Sequence, residues 1–129
     1  MAEIKGADVS KKILVIDDDN LVLKTFESLL RRAGYEVISA SCYDDALKAF
    51  GSSQFDLVLS DIRMPGKNGV EAVSEIQSTL IKSGKKDLPI IFITGYAKDS
   101  IQLNAEFIGE VLTKPVDSTH LLMTIREYL

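Results

Sequence analysis

The stretch Ile13-Leu14-Val15-Ile16-Asp17-Asp18-Asp19-Asn20 is a compact apolar run that breaks off into three consecutive carboxylates. Four apolar residues rich in β-branching read as a strand buried on both faces. A strand that stops in acids places ionisable groups at its carboxyl end. Directly after it, Val22, Leu23, Phe26, Leu29, Leu30 and Ala33 recur at helical spacing, and Gly34 is a helix stop. This is one βα unit, and the fold class turns on whether the unit repeats.

It does repeat. Tyr35 to Ala40 predicts a second strand, and Ala46, Leu47, Ala49 and Phe50 a short second helix, with Ser41 as its cap and Gly51 as its stop. Phe55 to Ser60 predicts a third strand that runs into Asp61. Residues 64–69 (Met-Pro-Gly-Lys-Asn-Gly) are turn chemistry, and Val70, Val73, Ile76 and Leu80 mark a third helix. A polar connection containing Gly84 leads to Ile90-Ile91-Phe92-Ile93, the fourth strand, which ends at Thr94-Gly95. Lys98 to Phe107 holds a short fourth helix, Glu110 to Thr113 a fifth strand, and Asp117 caps a last helix carrying Leu121, Leu122, Ile125 and Leu129. Strands alternating with helices five times over predict an α/β domain, a doubly wound (βα)5 parallel sheet with helices on both faces. No linker, low-complexity stretch or internal repeat interrupts it, so a single domain is expected.

Composition excludes several function classes. Apolar residues make up 46% and charged residues 26%, a globular balance rather than a disordered one. The net charge of −4 gives no electrostatic footprint for nucleic acid and no attraction to acidic lipid. Cys42 stands alone, so no disulfide forms within the chain, and with His120 the single histidine a Cys/His zinc site is out. The opening residues are polar with no apolar core and are no signal peptide, and no apolar run reaches membrane-spanning length. A reducing, cytoplasmic setting is the expectation.

The functional reading rests on where the polar residues fall. In an open parallel sheet, ligands sit beyond the carboxyl ends of the strands. Asp17 and Asp18 follow strand one, Asp61 strand three, Thr94 strand four and Lys114 strand five. Each has an ordinary reading by itself. The Asp17–Asp19 run suits helix capping, Asp61 a turn, Thr94 a strand end, and Lys114 a solvated loop. Together they form a set. Three carboxylates in one pocket repel, and a hard divalent cation relieves them. Lys114 adds a fixed positive charge and Thr94 a hydroxyl donor. A carboxylate, a metal, a lysine and a hydroxyl are the parts that aspartyl-phosphate formation needs. Asp19 reads as the capping or solvated member of its cluster.

The segments ILVIDDDN (13–20), FDLVLSDIRMPGKNG (55–69), IIFITGY (90–96) and LTKP (112–115) resemble, in order, the four signature regions of response-regulator receiver domains. The resemblance covers nearly the whole chain. It implies a flavodoxin-like sheet of strand order 2-1-3-4-5, with residues 1–10 an N-terminal tail and 11–129 the receiver domain. It implies that Asp61 is the phospho-acceptor and that Thr94 and Lys114 assist. Mg2+, with Mn2+ able to substitute, would be held by Asp17, Asp18, Asp61 and the backbone carbonyl of Arg63. The Lys114–Pro115 bond would be cis. The implied partners are a histidine kinase or histidine phosphotransfer protein upstream and an output partner or domain that the residues do not identify. The chain would be no enzyme but an acceptor that assists its own phosphorylation and dephosphorylation.

Two departures from the family pattern stand out. Many members carry an aromatic residue three positions before the lysine, where this chain has Val111, and the segment from Thr94 to Lys114 is slightly short. Both fall on the face commonly used for output. Tyr96 is a candidate substitute reporter, and Arg63, two residues after Asp61, a candidate for tuning phosphoryl lifetime. Two other functions stay open on the residues: a pseudo-receiver that binds without being phosphorylated, and a metal-dependent aspartyl phosphohydrolase. Also open are homodimerisation through the last helices, and whether the chain is a complete regulator or part of a longer protein.

Overall fold

Side chains alternate across a strand, so an apolar run of four or more must be covered on both faces. In the computed structural model, which describes residues 11–62, 69–84, 88–95, 109–114 and 116–129, the sheet meets that demand. Strands β1 (Lys12–Ile16), β2 (Glu36–Ala40), β3 (Leu57–Asp61), β4 (Ile90–Thr94) and β5 (Glu110–Thr113) are all parallel. Their order is β2-β1-β3-β4-β5, the 2-1-3-4-5 arrangement expected. Leu14, Ile16, Val58, Ile90 and Phe92 face a core closed by helices α2 (Tyr43–Ser52) and α3 (Gly69–Lys82). Ile13, Val15, Leu57, Leu59, Ile91 and Ile93 face the opposite core, closed by α1 (Asn20–Arg32) and α4 (Ser118–Tyr128).

The chain turns follow from local chemistry. Asp19 is the N-cap of α1, its carboxylate accepting from Leu21 N–H at 2.9 Å and Val22 N–H at 3.3 Å. At the other end Gly34 adopts a φ of 100°, a conformation costly for any residue with a Cβ. Gly34 N–H then donates to the Arg31 carbonyl at 3.0 Å and Tyr35 N–H to the Leu30 carbonyl at 3.1 Å. That pair of bonds is a Schellman motif, and Tyr35 and Leu30 meet in the same apolar cluster, as the motif requires. The final helix begins at the expected cap, with Asp117 accepting from His120 N–H at 3.0 Å.

Two local expectations need correcting. The cap of α2 is Cys42, whose sulfur accepts from Asp45 N–H at 3.5 Å, and not Ser41. Gly51 lies inside α2 and does not end it. Arg31, exposed on α1, also reaches across to donate to the Val37 carbonyl of the edge strand at 3.2 Å and pairs with Glu27 at 3.7 Å. The expected short helix at 98–107, with Tyr96, Arg63 and Pro115, lies outside the described residues.

Asp19 supplies a charge that α1 otherwise lacks, because no acidic residue occupies the first turn of that helix. Replacing it (Asp19→Ala) should cost about 1 kcal/mol of stability, read as a lower urea midpoint at unchanged slope. An unchanged midpoint would contradict the capping role.

Candidate functional site

Four strand ends build one shallow site on the carboxyl edge of the sheet. β1 delivers Asp17, β3 ends in Asp61, β4 ends in Thr94, and β5 leads into Lys114. The β1–β3 pairing sets Ile16 against Ser60, and the β3–β4 pairing sets Asp61 against Ile93, so these ends lie side by side. Lys114 is tied to the same edge by its own backbone, its N–H donating to the Thr94 carbonyl at 2.6 Å. Strand β2, on the far side of β1, adds no charged residue to this edge; its last residue is Ala40.

The carboxylates of Asp17, Asp18 and Asp61 converge, with one oxygen from each lying within 4.8 Å of the others. Asp17 is 2% exposed and Asp61 9%, while Asp18 faces solvent. Each buried acid is held by a backbone amide. Asp19 N–H donates to Asp17 Oδ1 at 2.9 Å, and Ile62 N–H donates to Asp61 Oδ1 at 2.9 Å. Lys114 Nζ sits between the two, 3.8 Å from Asp17 Oδ2 and 3.6 Å from Asp61 Oδ1. The sequence expectation that Lys114 belongs with the acids, rather than in a solvated loop, agrees with this placement. Thr94 is 2% exposed at the end of β4.

Charge is out of balance here. Three carboxylates against one ammonium leave an excess of two negative charges. Burial pushes the Asp61 carboxyl up to about 6, and the neighbouring Asp17 charge pushes the same way; Lys114 and the Ile62 amide offset only part of this. Asp17 is likewise raised above the ordinary carboxylate range, mainly by burial. A cluster of hard oxygen donors with two uncompensated charges matches what a small divalent cation takes. The residues therefore fit Mg2+, with Asp17, Asp18 and Asp61 as the donors among the described residues.

Sequence reading alone missed the groups that hold Asp61 in place. Ser60 is buried, and its hydroxyl donates to the Asp61 carbonyl at 2.8 Å. Gly69, read from sequence as part of a turn, is the first residue of α3. A Cβ there would lie 1.9 Å from the Asp61 carbonyl oxygen and 2.6 Å from Ser60 Oγ, so only glycine allows the helix to start this close to the acid. The available signal was a hydroxyl interrupting an apolar strand directly before Asp61. Val111, at the position where an aromatic residue is common, is half-buried beside Phe92 and packs against the α2–α3 core.

Comparison with known proteins agrees with this fold. Residues 13–126 match the response regulator receiver domain family. The transcriptional regulatory protein GlrR of Escherichia coli (strain K12) is 30% identical over 119 residues, 91% of this chain and 26% of that protein. ZraR of Klebsiella oxytoca is 35% identical over the same length and shares. The chain thus spans about a quarter of the length of these curated relatives. Among solved structures, the Vibrio cholerae chemotaxis protein CheY4 superposes with a TM-score of 0.82 at 28% identity, covering 94% of this chain and 100% of that one. The response regulator TrrA of Thermotoga maritima, solved in complex with Mg2+-BeF, gives 0.78 at 34% identity, covering 92% and 99%.

The raised Asp61 carboxyl has a signed consequence for stability. The folded chain binds this proton more tightly than the unfolded chain, so the stabilisation is complete below the ordinary carboxylate range. It is lost as pH rises through about 6. Asp61→Asn keeps an acceptor for the Ile62 amide and removes the charge. Without metal at neutral pH it should therefore raise stability by about 1–3 kcal/mol, with little gain near pH 4. Urea unfolding in EDTA at both pH values checks this; destabilisation by Asp61→Asn at neutral pH would contradict it.

Proposed function

Because this chain belongs to the response regulator receiver domain family, we propose that it accepts a phosphoryl group on Asp61 from a histidine kinase or a histidine phosphotransfer protein. The observation that carries this reading is the placement of a buried Asp61, with Lys114 set between it and Asp17, at the carboxyl edge of the sheet. In the transfer, a carboxylate oxygen of Asp61 forms the new bond to phosphorus. The phosphorus–nitrogen bond of the donor histidine breaks, and its electron pair stays on the imidazole, which takes up a proton. Lys114, fixed beside Asp61 Oδ1, offers its ammonium to the phosphoryl oxygens. The Thr94 hydroxyl, placed at the end of the adjacent strand, offers a neutral donor to the same group.

Asp17, Asp18 and Asp61 would hold the Mg2+, with the Arg63 carbonyl a further donor under the family pattern. Bound there, the cation would offset the charge of the incoming phosphoryl group, and Mn2+ would suit the same oxygen ligands. The Mg2+-BeF complex of TrrA supports this assignment by likeness. The chain is thus an acceptor that assists its own phosphorylation and dephosphorylation rather than an enzyme with a separate substrate. Residues 1–10 serve as a tail and 11–129 as the receiver. Among the described residues no helix is long and apolar enough to cross a membrane, and a cytoplasmic location suits a kinase-coupled module. The curated relatives are transcriptional regulators, so an output segment contacting this domain fits the same reading. With Val111 packed into the core edge, signalling would run by a route other than rotation of an aromatic side chain at that position.

Incubation with Mg2+ and acetyl phosphate, followed by intact-mass measurement, should give a single phosphoryl adduct. It should vanish with EDTA and in Asp61→Asn, and Lys114→Ala should slow its formation by about 100-fold. An unmodified chain under every donor would favour a binding module that is not phosphorylated. Rapid multiple turnover of varied phosphoesters would favour a phosphohydrolase.

A further inference from the structure

We propose that Ser60 is a positioning residue that orients the Asp61 carboxylate through the Asp61–Ile62 peptide plane, an inference that rests on the phospho-acceptor reading and deepens it. A peptide unit is planar, so fixing its carbonyl fixes its amide. The Ser60 hydroxyl donates to the Asp61 carbonyl at 2.8 Å, which is one end of this plane. The other end is the Ile62 N–H, which donates to Asp61 Oδ1 at 2.9 Å and also to the Ile93 carbonyl at 3.2 Å. A side chain one residue before the acceptor therefore reaches its carboxylate by way of a single rigid unit. Gly69 closes the arrangement, its N–H donating to the Ile62 carbonyl at 2.8 Å.

Position in the sheet argues that the hydroxyl is there for this bond. Ser60 is 1% exposed and lies on the face of β3 that carries Val58. Its register neighbours are Ile16 on β1 and Phe92 on β4, both apolar, so Ser60 is the polar member of a buried row. Burying a hydroxyl is unfavourable unless it is hydrogen-bonded. The close approach of Gly69 accounts for the missing side chain at position 69 and not for a hydroxyl at position 60, which alanine would lack without filling more space. The difference between alanine and serine is the bond to the Asp61 carbonyl.

Ser60→Ala separates the two roles. With acetyl phosphate and saturating Mg2+, it should slow adduct formation by about 3- to 30-fold. In the metal-free protein it should speed hydrogen exchange of the Ile62 amide by at least about tenfold. Ser60→Thr, which keeps the hydroxyl, should return both values to within about threefold of the unsubstituted chain. Ser60→Cys, matched in size with a weaker donor, repeats the comparison should alanine disturb folding. Wild-type rate and exchange in Ser60→Ala would overturn the proposal, as would equal slowing in the alanine and threonine variants, the mark of altered packing alone. Should the unsubstituted chain take no phosphoryl group, the acceptor reading fails, while the Ile62 exchange still decides the role of Ser60.

Discussion

The structure is organised around an unfavourable contact. Asp17 and Asp61, both largely buried, face each other across one lysine, with Asp18 close by. Such a cluster persists only if the surrounding fold forces it. Two backbone amides bind the acids individually, and Lys114 is held to the edge by the backbone bond to Thr94. The stability that the carboxylates forfeit is available to whatever neutralises them. A site strained by its own charge is sensitive to any group that changes the charge at Asp61.

The fold supplies the force. β1, β3 and β4 are central strands, apolar on both faces and clamped between two helical layers. Their carboxyl ends cannot separate without opening one of the cores. α3 begins against the Asp61 main chain because Gly69 has no side chain, so the acid is pinned from the helix side as well. Ser60 and the Ile62 amide add directional control within that frame. The exposed Asp18 and the partly exposed Lys114 form the open side through which a donor would approach.

Much of this was legible in the sequence, for a physical reason. A buried parallel strand must be apolar throughout, so Asp17, Asp61, Thr94 and Lys114 mark the strand ends by contrast. The periodicity of Val22, Leu23, Phe26, Leu29 and Leu30 fixed α1, and its capping residues at both ends were readable. What remained hidden depends on tertiary proximity. The Gly69 contact with Asp61 closes a loop whose path no local pattern records, and Arg31 found a strand carbonyl across an element boundary. The α2 cap at Cys42 was hidden because thiols are rare caps and Ser41 next to it is a common one. Degrees of protonation were also out of reach, since they follow from burial depth and charge spacing rather than from residue type.

The central claim is that Asp61 is a buried carboxyl raised by its neighbours and relieved by a cation. Site-resolved carbon NMR of the aspartate carboxyls, across pH and with added Mg2+, reads this directly. The account predicts that Asp61 titrates near 6 in metal-free protein and shifts to lower pH as Mg2+ is added. An Asp61 that titrates in the ordinary carboxylate range and ignores Mg2+ would contradict it.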